Sequence, residues 1–427
     1  MKSTPLTLSR TLVVAALTLI ASTTADAQDT LRTVVIRAAT ILDGRGGRIT
    51  NGAVIVRGDH IVDVVQGAAA DGAARGAGVL YDLGNATVLP GLIDGHVHVN
   101  SYFNAAGRIH TRNDGDTPAQ SALAIAGNLR RMLMSGVTTV QSMGAAEDAA
   151  FRAAVESGSI AGPRLITTLN PITDEKLSPD SMRAIVRQRK AEGADAIKIF
   201  APKSIREGGT TTMTQEQLNA ACGEAKTLGL RTLVHAHSEE SMRFATLAGC
   251  TEIEHGIFST PDVLRLMAQH GTYFDPQCGL IFRNYLENRA KYEGTGNFNE
   301  EGFAALQRGI TLGPTVIRMA QATPGLKMVW GTDAVAGAHG RDVEDLICRV
   351  HEGGQPASAA LLSATSGGAD ALGLGKEIGT LAKGYRADVI AVAGDPSRNI
   401  DVLRNVTFVM SGGQVRRVEA PARVVAR

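Results

Sequence analysis

Seven side chains able to hold a metal ion or move a proton stand in or at the ends of short apolar runs. His96 and His98 follow Leu92-Ile93-Asp94-Gly95, and Lys198 lies inside Ala196-Ile197-Lys198-Ile199-Phe200. His235 and His237 close Leu233-Val234-His235-Ala236-His237, His255 ends Glu252-Ile253-Glu254-His255, and Asp333 ends Val329-Trp330-Gly331-Thr332-Asp333. Imidazole nitrogen and carboxylate oxygen are ordinary zinc ligands. Two zinc ions sharing a hydroxide would give a nucleophile at neutral pH while polarising a carbonyl.

Each residue also has a plainer reading. A single His-x-His pair serves equally as a satisfied or surface pair. Lys198 is costly to bury as an ammonium ion. Its stem could pack while the amine snorkels outward, or the amine could combine with carbon dioxide into an anionic carbamate bridging two ions. Asp333 could cap a helix, or act as ligand and proton acceptor. Recurrence weighs against the plain readings, because five of the ten histidines sit at strand ends.

A closed barrel is the element that gathers strand ends. Apolar runs at 88–93, 137–143, 164–169, 195–200, 231–235, 251–254, 272–275 and 327–331 alternate with alanine-rich amphipathic stretches, the pattern of parallel strands and helices. The expectation is an α/β fold, a (β/α)8 TIM-like barrel over 88–378, whose active site lies at the C-terminal face. A doubly wound sheet would gather its chemistry at one crevice, whereas here it recurs along the segment. β-Branched runs at 33–37, 53–57 and 60–65, with 387–393 and 406–410 at the other end, predict a small β-sandwich domain built from 28–87 and 379–427.

The 43 basic and 42 acidic residues of the 427 nearly cancel, which argues against nucleic acid and anionic membranes as partners. Lys2 and Arg10, the apolar run Leu12–Ala21 and Ala25-Asp26-Ala27 form a secretory signal layout over 1–27. The expectation is an exported protein, periplasmic or secreted, with no membrane partner after cleavage. Cys222, Cys250, Cys278 and Cys348 show no CxxC spacing and read as buried small hydrophobes, with room for one bridge.

The set Gly-Leu-Ile-Asp-Gly-His96-Val-His98, Ile-Lys198-Ile, His235-Ala-His237, Ile-Glu-His255-Gly and Gly-Thr-Asp333-Ala resembles the amidohydrolase superfamily. It looks most like the imidazolonepropionase-like branch, which holds secreted Xaa-Pro dipeptidases, carboxypeptidase-like enzymes and ochratoxin-hydrolysing amidases. The resemblance covers nearly the whole chain after the signal layout, including Gly379-Thr380-Leu381-Ala382-Lys383-Gly384. It implies two Zn2+, or other divalent ions, bridged by carbamylated Lys198 and a hydroxide. His96, His98 and Asp333 would bind one ion, and His235 and His255 the other. Asp333 would carry the proton to the leaving amine, and His237 would hold the substrate or its oxyanion.

His339 resembles a substrate-loop histidine of this branch; Ser101 is a further candidate contact, and Lys203 and Arg206 could bind a substrate carboxylate by charge-assisted bonds. Two stretches depart from many relatives: Leu169-Asn170-Pro171-Ile172-Thr173-Asp174-Glu175-Lys176 after strand three, and Ala201-Pro202-Lys203-Ser204-Ile205-Arg206 after Lys198. The implied reaction is hydrolysis of an amide to a C-terminal hydrophobic or aromatic amino acid, in a dipeptide, an N-acyl amino acid or an ochratoxin A-like amide. A lactonase, esterase or cyclic-amide hydrolase is the alternative. An exported binding protein would predict missing ligands, and none is missing. The resemblance further implies a homo-oligomer, octameric in some relatives.

Overall fold

The computed structural model describes residues 32–419 and 422–426; the signal-layout residues 1–27 lie outside them. Two parallel sheets form the central unit. One holds Leu92–Val97, Val137–Ser142 and Arg164–Thr167; the other holds Ala196–Phe200, Arg231–Ala236, Glu252–His255, Tyr273–Asp275 and Lys327–Met328. Parallel bridges Ile172–Ile199 and Val97–Ala334 join the two at both seams, giving eight strands in chain order. Helices Pro118–Met134, Pro179–Ala191, Gln215–Thr227, Glu239–Leu247 and Pro261–His270 lie between them. Their starts are fixed locally: Thr117 and Thr214 form capping boxes, and Ser178, Ser238 and Thr260 accept a backbone N–H, satisfying donors that the first turn leaves free.

The terminal segments build one nine-stranded sheet. Val34–Leu42 pairs in parallel with Val79–Asp82 through its first half and with Thr87–Pro90 through its second, so the sheet branches. Val389–Val392 returns antiparallel to Thr87–Pro90. Ile36, Val54, Val88, Val389 and Phe408 form its buried core.

The expected strand 88–93 is two strands. Thr87–Pro90 belongs to the terminal sheet and Leu92–Val97 to the barrel, and the change falls at one residue. Gly91 donates its N–H to Asp388 in the terminal sheet, whereas the next residue, Leu92, donates to Gly136 at the barrel. A Cβ at residue 91 would collide with Thr138, so only glycine permits this close passage. The eighth strand is shorter than expected, covering Lys327–Met328.

The cysteine reading is corrected more sharply. Cys222 pairs with Cys250 and Cys278 with Cys348, leaving no free cysteine among the described residues. Sequence separations of 28 and 70 carry no motif, so chain spacing could not announce pairs that the barrel brings to Cα distances of 5.1 and 5.8 Å.

Candidate active site

Five barrel strands deliver their terminal side chains to one place. The ligand atoms of His96, His255 and Asp333 lie within 4.8 Å of one another. Asp333 Oδ1 is 3.5 Å from His96 Nε2 and 3.2 Å from His98 Nε2. The His235 ring lies 4.3 Å from that of His255, and the His237 ring 5.0 Å from His255. Lys198 is 1% exposed, and its Nζ contacts the Glu254 carboxylate.

Two of these residues lie in the left-handed region, His255 at the end of its strand at φ 69° and Asp333 in the loop after the eighth strand at φ 56°. Such a backbone is uncommon for a non-glycine residue and is held only when its surroundings enforce it. For Asp333 the enforcement is visible. Buried Asp94 accepts from Thr332 N at 3.0 Å and Thr332 Oγ1 at 2.6 Å, pinning the preceding turn, and Asp333 N donates to His96 O at 2.7 Å across the seam.

Burial sets the electrostatics. It holds the imidazoles of His96, His235 and His255 well below their usual range, with Lys198 adding to the effect, and takes His237 down to about 3. These rings are neutral, the form that coordinates a cation. Burial pushes the Lys198 amine down to about 7. It also works to raise the Asp333 carboxyl, but His96 and His98 outweigh it and the net shift is downward.

The residues fit a metal. His96 Nδ1 and Nε2, His235 Nε2 and His237 Nδ1 are buried without a hydrogen-bond partner, although buried polar atoms are normally satisfied. The donor set of nitrogen and carboxylate oxygen is one that divalent transition ions accept.

The cavity beside these residues is lined by Arg206, His235, His237, His255, Tyr285 and Asp333, among others, and its free volume is about 50 Å³. That is a few waters' worth when each needs roughly 10–15 Å³. Arg206 stacks on the Phe298 ring at 4.1 Å, and its Nε is buried and unpartnered. A larger cleft of about 700 Å³, lined by Tyr102, Arg131, Glu287, Arg341 and His339, contains none of the candidate ligands, so size alone does not locate the chemistry.

The other expected contacts lie elsewhere. His339 is buried, with Nε2 3.1 Å from His98 O, so it braces the backbone of a candidate ligand. Ser101 Oγ accepts from Ala336 N at 3.0 Å and ties two loops. Lys203 is exposed and does not line the cavity. The sequence reading passed over Glu254, Asp275 and Gln277. The signal was there: 272–275 was a candidate strand with polar residues at its end and no role given to them.

The amidohydrolase family model matches residues 87–418. This chain belongs to the amidohydrolase family. Family membership makes it a hydrolase of amide-type C–N bonds, in a family that generally uses divalent metals. Among relatives, ochratoxinase of Aspergillus niger is 24% identical, the match covering 91% of this chain and 87% of the relative. A 5-methylthioadenosine/S-adenosylhomocysteine deaminase of Bacillus cereus is 26% identical over 87% of this chain and 88% of its own length. A Xaa-Pro dipeptidase crystallised with methionine in its active site superposes with a TM-score of 0.78, at 28% identity, over 90% of this chain and 100% of that one.

Proposed function

We propose that this amidohydrolase cleaves an amide whose amine side is an apolar amino acid with a free carboxylate, using two divalent ions, with zinc the best match to the ligands. The observation that supports this is the clustering of His96, His255 and Asp333, with His98 against Asp333 and His235 against His255, and with orphaned ring nitrogens among them. His96, His98 and Asp333 would hold one ion and His235 and His255 the other, with Lys198, as its carbamate, between them. When bound, the ions supply Lewis acidity toward the carbonyl and a nucleophile at neutral pH.

The chain's own groups do the rest. Asp333, a carboxylate among neutral imidazoles, accepts the proton of the attacking water at Oδ1 or Oδ2 and returns it to the departing amine nitrogen. Neutral His237, on the cavity wall, is placed to donate a hydrogen bond to the carbonyl oxygen as charge grows there. Arg206 presents a guanidinium, fixed by stacking, whose natural partner is a carboxylate. Ile257, Ile281, Phe282, Tyr285 and Leu306 complete an apolar wall suited to an aliphatic or aromatic side chain. The neighbour that holds methionine in its active site supports an amino acid in this position.

Export to a periplasmic or extracellular space is part of the same reading. Two disulfides support it, since such bonds persist in oxidising compartments. Self-association is likewise proposed, and light scattering on the purified chain counts the copies.

The test is to offer the zinc-loaded protein ochratoxin A, Xaa-Phe, Xaa-Leu and Xaa-Pro dipeptides, and matched esters and lactones, scoring products by mass spectrometry. Release of a free apolar amino acid is the expected result. Ester or lactone cleavage with silent amides would overturn the amide assignment, and preference between ochratoxin A and dipeptides reports the acyl side of the pocket.

A further inference from the structure

The end of the seventh barrel strand carries a hydrogen-bond chain that reaches a candidate metal ligand without joining the cluster. Gln277 Nε2 donates to Asp275 Oδ2 at 2.9 Å. A carboxylate only accepts, so this contact fixes which way the Gln277 amide faces. Its Oε1 therefore points at His255 Nδ1, 2.6 Å away, and that nitrogen must carry the hydrogen. The lone pair of His255 is then confined to Nε2. Asp275 Oδ2 also lies 3.4 Å from His96 Nδ1, close but not hydrogen-bonded, so the same carboxylate stands beside one candidate ligand and, through Gln277, behind another.

This pair is locked from the far side. Arg349, fully buried, has Nη2 3.4 Å from Asp275 Oδ1 and donates to Pro276 O at 2.5 Å and to Val329 O at 2.7 Å. Its Nε donates to Asp345 Oδ1 at 3.0 Å, and Asp345 Oδ2 accepts from Cys278 N at 2.8 Å and Gly279 N at 3.1 Å. The Cys278–Cys348 bridge joins the residue after Gln277 to the residue before Arg349. The clamp thus spans the helix Val343–His351 and the turn that bears Gln277. The other bridge, Cys222–Cys250, links the helix Gln215–Thr227 to the start of the sixth strand, the end remote from the ligands.

We propose that Gln277 is a positioning residue for His255 and that the Cys278–Cys348 bridge clamps it there, so that metal affinity depends on this disulfide and not on Cys222–Cys250. The proposal rests on His255 being a metal ligand. Groups that orient a ligating histidine typically change metal affinity about 10–100-fold when removed.

The experiment measures zinc affinity by chelator competition on the full chain, with the ligand-field spectrum of the cobalt-loaded protein as a second readout. Gln277→Leu keeps the volume and deletes the acceptor; it should weaken zinc about 10–100-fold and shift the cobalt spectrum. Cys278→Ser/Cys348→Ser should do the same in part, while Cys222→Ser/Cys250→Ser should lower thermal stability and leave zinc affinity within twofold. Should the first serine pair fail to fold, Cys278→Ala/Cys348→Val tests the bridge with apolar replacements, and Gln277→Leu tests the positioning. Wild type that takes up no zinc or cobalt overturns the two-ion reading and this proposal with it. Metal-loaded wild type beside a Gln277→Leu variant of equal affinity, or serine pairs that weaken zinc equally, overturns this proposal only.

Discussion

The terminal sheet and the barrel mouth are buried to a similar degree and built on opposite terms. In the sheet, Ile36, Val54, Val389 and Phe408 are fully buried and wholly apolar. At the mouth, His96, His235 and His237 are buried as well, yet each has a ring nitrogen without a hydrogen-bond partner. Leaving a buried polar group unsatisfied costs about 1–3 kcal/mol. Two residues there also hold a left-handed backbone. One region is optimised for stability, and the other gives stability up to keep its ligand atoms free.

That contrast breaks first at Lys198. Lys198→Met should abolish metal uptake and cut turnover at least about 1,000-fold, some 4 kcal/mol of barrel-mouth function, while the thermal midpoint of the metal-free protein holds or rises. A destabilised, still active variant would erase the contrast. The converse is Phe408→Ala, in the sheet core. It should cost about 3–5 kcal/mol in denaturant unfolding and leave kcat of the folded fraction unchanged; a comparable loss of kcat would mean that the sheet shapes the site.

Smaller effects sharpen the boundary. His237→Ala should retain metal and turn over roughly 100-fold more slowly, the size expected for one lost oxyanion donor, and full activity would reduce His237 to packing. Glu252 lies at the foot of the sixth strand, where burial and Asp275 raise its carboxyl from 4.5 to about 8. Between these values the folded chain keeps a proton that the unfolded chain releases. Its contribution is therefore complete below pH 4.5 and lost as pH climbs through 8. Glu252→Gln cannot lose that proton, so it should flatten the decline and be about 1–2 kcal/mol more stable at pH 8. Parallel melting curves for both proteins from pH 5 to 8 would sink this account.

Where chemistry ends an apolar run, the sequence was readable. His96, His98, Lys198, His235, His255 and Asp333 meet because strand ends in a barrel share a face, and period and residue type suffice to see that. Residues acting at one remove were not readable. Gln277 and Arg349 are 72 positions apart in the numbering, and only folding shows that both converge on Asp275. His339 was visible as a histidine, but its burial against His98 O depended on how the loop after strand eight turns back. The cysteines failed for a related reason, since a bridge between distant segments has no local period. Merging 87–90 with 92–97 failed differently: both strands are apolar, and a change of sheet leaves no trace in hydrophobicity beyond one glycine.

That change of sheet dictates an order of events during synthesis. Thr87–Pro90 is made early, but its antiparallel partner Val389–Val392 emerges roughly three hundred residues later. The barrel strands and helices between them can close on sequential neighbours, whereas this pairing is a long-range contact of the kind that forms slowly. The early strands of the terminal sheet must wait, with one apolar edge uncovered, until nearly the whole chain exists. The terminal sheet is thus completed by strands that flank the barrel segment on either side.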